Sequence, residues 1–162
     1  MRSIVRRVDK YAEEAILVSL FIVMVILIFV QVIMRYVFDN SLSWSEELAR
    51  YLFIWMVFIG ASYGVKRSGH INIDVVLNFV SDGAKKAIAI VANLLFITFA
   101  VIISWLGWGL VQQMGEFGQT SSALNLPMHY VYAALPIGFL LTTIRLIQSS
   151  ILLFKKPAGE GE

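Results

Sequence analysis

The sequence has no cysteine, only two histidines and only three prolines in 162 residues. Without a thiol there is no disulfide framework, no iron–sulfur ligation and no thiol nucleophile. Two histidines leave little for a metal site, because zinc in a structural site takes four ligands. Charge is scarce as well. Charged residues make up 15 % of the chain, against roughly a quarter in soluble domains. That leaves too little polar surface to keep an 18.2 kDa globule dissolved. What is present instead is apolar: 59 % hydrophobic residues and a mean hydropathy of +0.78. These residues fall in long uninterrupted runs, which is the signature of membrane spans.

Four runs stand out. The first, Ala15 to Ile33, carries no charge and would reach about 28 Å as a helix, close to the hydrocarbon thickness. Its basic prefix (Arg2, Arg6, Arg7, Lys10) resembles a signal-peptide start. The run is nevertheless longer than a usual signal core and leads into Gln31–Tyr36 with no small-residue cleavage site, so a retained helix is expected. The second run spans Leu48–Val65 and contains Arg50 near its start. The third, Ala87–Leu110, has Asn93 as its one amide. The fourth starts near Pro127, and Arg145 falls at its far interface. The expected architecture is therefore an all-α integral membrane protein in one domain, residues 1–156. Its spans are at about 15–33, 48–65, 87–110 and 127–147, followed by a disordered tail over 157–162.

Basic residues gather before span one, in the 66–86 connection (Lys66, Arg67, Lys85, Lys86) and at Lys155 and Lys156. The connections 34–47 and 111–129 hold one basic residue between them, Arg35. The positive-inside rule then puts both termini in the cytoplasm. Trp44, Trp105, Trp108, Tyr130 and Tyr132 fall at the opposite boundary, as an aromatic belt does. Between spans two and three, Ile73, Val76, Leu77 and Val80 share one helical face opposite Asp74, Asn78, Ser81, Asp82 and Lys85. This spacing predicts an amphipathic interfacial helix over Ile71–Lys86.

A transporter that works alone places ionisable residues or broken helices at the bilayer midplane. This sequence is expected to have neither, since Glu46, Glu47, Asp74 and Glu116 lie at interfaces or in loops. A four-helix multidrug antiporter, which needs a carboxylate inside a span, fails on that requirement. His70 and Asp74 stand at i, i+4 but supply two metal ligands at most, and His129 is on the other side. No nucleophile–base set or phosphate loop is visible, so an enzyme is not expected, and neither is a cofactor or nucleic acid.

Three features carry more. Ser43-Trp44-Ser45-Glu46 fits a capping box with Ser43 as N-cap, and Glu46 and Arg50 form an i, i+4 pair. Arg50 stands about a turn inside an apolar run, where it needs a carboxylate, a lipid phosphate or a partner subunit. Gly60-Ala61-Ser62-Tyr63-Gly64 is a small-xxx-small pattern that permits close helix approach, whether in this chain or to another. The connection Gly115–Pro127 mixes polar, apolar and turn residues, which suits folding back onto the bundle or docking something outside.

Taken in order, Arg35-Tyr36-Val37-Phe38, Ser43-Trp44-Ser45-Glu46-Glu47-Leu48-Ala49-Arg50 and Gly69-His70-Ile71 resemble the first half of the small membrane subunit of TRAP transporters, the DctQ type. Gly118-Gln119-Thr120-Ser121, Leu126-Pro127, Tyr130-Val131-Tyr132 with Leu135-Pro136-x-Gly138, and the late Arg145 resemble the second half. Ser122 departs from the proline that many members carry there. The resemblance implies a tripartite ATP-independent periplasmic transporter of the bacterial or archaeal cytoplasmic membrane. In such a system a soluble periplasmic substrate-binding protein captures an organic acid. A large membrane subunit carries it with sodium, and the small, non-catalytic subunit scaffolds and docks. Candidates for large-subunit or lipid contact are Arg35, Glu46, Glu47, Arg50, Gly60, Gly64, His70 and Arg145. Candidates for receptor docking are Asp39, Asn40, Ser41, Trp44, Glu116, Gln119 and Thr120. The competing reading is a self-sufficient four-helix channel or a membrane assembly factor. A channel requires a polar stripe, and only Gln31, Asn93 and scattered Ser/Thr are available.

Overall fold

A computed structural model describes residues 2–68 and 82–155. They form α1 (Arg2–Val37), α2 (Ser43–Ser68), α3 (Asp82–Glu116), a short α4 (His129–Tyr132) and α5 (Ala134–Lys155). Four stretches are long and apolar enough to cross a membrane: Ala12–Val37, Ser43–Arg67, Ala87–Glu116 and His129–Ile151. The described residues contain no strand, only an isolated bridge between Thr120 and Pro127. The fold is thus all-helical with four candidate spans. His70, most of the expected interfacial helix and the 157–162 tail lie outside the described residues. From Asp82 onward that segment belongs to α3.

The helices run up and down. The 38–42 and 117–128 connections share one end, here the loop end, while residues 13, 66 and 145 share the opposite, terminal end. Packing follows the order α1–α2–α5–α3, with α2 and α5 in the middle. The sequence accounts for this. Val131, Ala134, Gly138, Thr142 and Leu146 recur every three or four residues along α4–α5 and are all buried. Of the apolar window of the fourth span 39 % is buried inside the chain, against 6 % for the first and third, so α1 and α3 turn most of their surface outward. The buried threonines satisfy themselves: Thr142 donates to the Gly138 carbonyl (2.9 Å) and Thr143 to that of Phe139 (2.8 Å). Phe139 then sits between Phe58 of α2 and Phe99 of α3, with ring centroids at 6.1 and 5.9 Å.

Glycines set how closely α5 meets α2 and α3. A Cβ at Gly138 would lie 2.5 Å from Phe58 Cβ and 3.0 Å from the Phe58 carbonyl oxygen. A Cβ at Gly107 would collide with the Leu135 side chain. By contrast, Gly60 meets only Leu17 Cδ2 at 3.8 Å, and Gly64 has nothing within 4 Å. The close approach inside this chain therefore uses Gly138 and Gly107, and the Gly60/Gly64 pattern faces little of its own bundle.

One local expectation is corrected. The first helical bond of α2 runs from the Glu46 N–H to the Leu42 carbonyl (3.5 Å), so Leu42 takes the cap position rather than Ser43. The Glu46 carboxylate reaches α1 instead of turning back on Ser43. In the fourth span Pro136 has no N–H for the Tyr132 carbonyl, so one helical bond is missing near its start at the loop end. The backbone stays helical through Ala133 (φ −61°, ψ −22°), whose carbonyl accepts the Ile137 N–H at 3.2 Å.

Candidate functional site

The described ionisable side chains gather into two clusters, one at each end. At the loop end, α1 finishes in a turn: Asp39 takes φ 49° and the Asn40 N–H returns to the Met34 carbonyl at 2.9 Å. This brings the last turns of α1 beside the first turns of α2. Gln31 Nε2 donates to Glu46 Oε2 at 3.0 Å, Arg35 lies 3.9 Å from the same oxygen, and Arg50 Nη2 lies 3.3 Å from Glu46 Oε1. The expected i, i+4 pair is present, and Glu46 is in addition a link between α1 and α2. Arg35 and Arg50 remain half or more exposed.

Glu47 points the other way and is buried. Its Oε2 accepts the backbone N–H groups of Ala123 (2.8 Å) and Leu124 (3.1 Å), and its Oε1 accepts the Tyr51 hydroxyl (2.5 Å). Met128 Sδ lies 3.5 Å from the same phenol oxygen. The loop held in this way is compact. Gly118 (φ 59°) turns the chain out of α3. The Ser121 N–H donates to the Leu126 carbonyl (2.9 Å), the Leu126 N–H to Ser121 Oγ (3.1 Å), and the Met128 N–H to the Gln119 carbonyl (2.9 Å). The 115–127 connection thus folds back onto the bundle. Asp39, Asn40, Ser41, Trp44, Glu116, Gln119 and Thr120 are all exposed around it, on one end of the molecule.

At the terminal end, Glu13 of α1 is a buried carboxylate between two cations. Its Oε1 accepts Arg145 Nη2 (2.8 Å) and Nε (2.9 Å), and Lys66 Nζ lies 3.5 Å from Oε2. Side-chain exposure is 9 % for Glu13 and 11 % for Arg145, so this pair is desolvated. Arg145 also donates to Gln148 Oε1 at 2.7 Å. Nearby, the Tyr63 hydroxyl donates to Glu14 Oε2 (3.1 Å) and receives a bond from Arg67 (3.3 Å). The cluster ties α1, α2 and α5 together. Arg145 and Glu47, expected among the outward contacts, are thus largely engaged within the chain. Glu13, Lys66 and Tyr51 were not singled out from the sequence. The missed signal was depth: Glu13 precedes span one by as little as Arg145 precedes the end of span four.

Between these clusters the described spans hold amides and hydroxyls but no charge. There Ser104 Oγ donates to the Pro136 carbonyl at 3.1 Å, joining α3 to α5, and beyond the terminal cluster Asn93 Nδ2 donates to Ser150 Oγ at 3.2 Å between the same helices. Among the described residues there is no group of three or more metal-ligating side chains.

The family model of the tripartite ATP-independent periplasmic transporters, DctQ component, matches residues 24–156. The C4-dicarboxylate TRAP transporter small permease protein DctQ of Vibrio cholerae is 32 % identical, with 88 % of this chain and 72 % of that protein covered. A putative TRAP transporter small permease protein of Haemophilus influenzae is 30 % identical over 96 % of this chain and 97 % of its own length. The isethionate TRAP transporter permease protein DctMQ of Oleidesulfovibrio alaskensis is 27 % identical, and there the chain spans only 23 % of the relative's length. With its four apolar helices and charges confined to their ends, this chain belongs to the DctQ component family of the tripartite ATP-independent periplasmic transporters, a multi-pass inner-membrane transport component rather than an enzyme.

Proposed function

We propose that the chain is the non-translocating small subunit of a TRAP secondary transporter. It scaffolds a large sodium-coupled permease subunit and helps dock a periplasmic substrate-binding protein during organic acid uptake. Both termini are cytoplasmic in this reading, and the loop end faces the receptor. One observation carries it: the described spans hold no charge between their two end clusters, so they offer no midplane site for an anion or its coupling ion. The relative named permease protein DctMQ supports a permanent partner, because a chain like this one makes up about a quarter of that single polypeptide. The outward faces of α1 and α3 supply ample apolar surface for a large subunit. Gly60 and Gly64, which meet little inside the chain, remain available for close approach by a partner helix. Arg35, Glu46 and Arg50 form a flank for the large subunit or its annular lipid, and Asp39, Asn40, Ser41, Trp44, Glu116, Gln119 and Thr120 form the receptor-facing surface.

Proteoliposomes test the role directly. The chain alone is expected to move no solute, while chain, large subunit and receptor together take up organic acid with sodium. Solute flux through the chain alone would overturn the scaffold reading in favour of a channel. Trp44→Ala is expected to lower receptor-dependent uptake without loss of co-purification with the large subunit.

A further inference from the structure

The flank between α1 and α2 has a feature that a plain helix-packing surface does not need. A groove runs along it, lined by Met24, Ile28 and Gln31 from α1 and by Ala49, Arg50 and Phe53 from α2. Glu46 stands at its mouth. Because α1 runs towards the loop end and α2 away from it, Gln31, Glu46 and Arg50 lie at the shallow end. Met24, Ile28 and Phe53 lie deeper. The groove is therefore polar at one end and apolar along its floor.

The charges at the mouth are unbalanced in their reach. Among the described residues that line it, Glu46 is the one carboxylate, and it is shared by Gln31, Arg35 and Arg50. The negative charge of neighbouring Glu47 is turned to two loop amides and the Tyr51 hydroxyl. Two guanidiniums thus meet one available carboxylate, and the Arg50 side chain remains 64 % exposed. It does so about 10 Å along the helix from Ser43, on a lateral surface of a candidate span. Exposed Trp44 marks the headgroup level just above it. A guanidinium in this position seeks a bidentate oxyanion, and the apolar floor below it suits an acyl chain.

We propose that this groove holds one phospholipid, its phosphate on Arg50 with Arg35 alongside and an acyl chain along Met24, Ile28 and Phe53. The site gives a specific ligand to a flank that the proposed function leaves to the large subunit or to lipid. It does not require the transporter reading, since the polarity gradient of the groove is a property of this chain alone.

The test uses the full chain, co-expressed with its large subunit, in phosphatidylethanolamine vesicles containing a phosphatidylethanolamine with a diazirine on its acyl chain. Illumination is expected to label the Met24–Ile28 segment and Phe53. Arg50→Gln is expected to cut that labelling about tenfold, the loss of one charge-assisted hydrogen bond, and Arg50→Lys to restore part of it. Diacylglycerol with the same diazirine is expected not to label the groove above background, and inorganic phosphate not to compete. If Arg50→Gln disturbs assembly, Ile28→Trp serves instead: it fills the floor and is expected to abolish labelling with both arginines intact. Unchanged labelling in these variants, equal labelling by the diacylglycerol, displacement by inorganic phosphate, or an unlabelled groove in the wild-type complex would each overturn the proposal. Solute flux through the chain alone would overturn the scaffold reading and leave the labelling result unaffected.

Discussion

The carboxylate of Glu47 accepts the backbone N–H of Ala123 at 2.8 Å, across 76 residues of sequence. With the Leu124 N–H on the same oxygen, it fastens the 117–128 connection to the first turns of α2. A loop whose amides end on a buried carboxylate is ordered by that carboxylate. Glu47→Ala is therefore expected to raise hydrogen exchange at Ala123 and Leu124 about tenfold or more, with little change near Glu13. Tyr51→Phe, which keeps both amide bonds, should do much less. Equal exchange in wild type and Glu47→Ala would remove Glu47 from this role.

The Glu13–Arg145 pair makes a prediction of a different shape. Breaking a buried pair from one side strands a charge, at a cost of about 3–5 kcal/mol. Glu13→Leu leaves Arg145 and Lys66 facing each other and should lower the thermal midpoint of the purified protein most. Arg145→Leu leaves Glu13 still beside Lys66 and should cost less. The double variant should recover part of the Glu13→Leu loss. Additive losses would mean that the two groups do not act as a pair.

Gly138→Ala is expected to destabilise the chain by about 1–3 kcal/mol, because the new methyl meets Phe58 backbone that cannot yield cheaply. Gly64→Ala adds its methyl to open space and should leave the thermal midpoint unchanged. If Gly64→Ala nevertheless weakens co-purification with the large subunit, the small-residue pattern belongs to that interface. If both variants melt alike, the distinction drawn between the two glycines is wrong.

Asn93→Leu removes the α3–α5 hydrogen bond to Ser150 within the spans. Interhelical bonds of this kind average about 0.6 kcal/mol in membrane proteins, so the thermal midpoint should fall only slightly. A loss as large as that of Glu13→Leu would show that Asn93 does more than join two helices.

The absence of native cysteine makes topology simple to measure. Asn40→Cys is expected to react with a membrane-impermeant maleimide in cells whose outer membrane is permeabilised, whereas Arg67→Cys should react only after the inner membrane is opened. The reverse pattern would invert the proposed orientation.

The sequence by itself determined the four spans, because an uncharged apolar run has few alternatives to crossing a bilayer. It also determined where charge could not be: nothing in Ala15–Ile33 or Ala87–Leu110 could ionise, whatever the packing. The Glu46–Arg50 pair was legible because i, i+4 is a local distance on any helix. Only the tertiary structure decided the long-range partners. Glu47 could have faced lipid, a partner or the chain itself. It faces the loop because that loop brings two otherwise unpaired amides to it. Arg145 found Glu13 because antiparallel packing brings residues 132 positions apart to one depth, which periodicity does not reveal. The same holds for Gly138 against Gly64. A glycine announces that helices can meet, but the order α1–α2–α5–α3 decided which of them do, since only burial against a backbone turns a missing side chain into a contact.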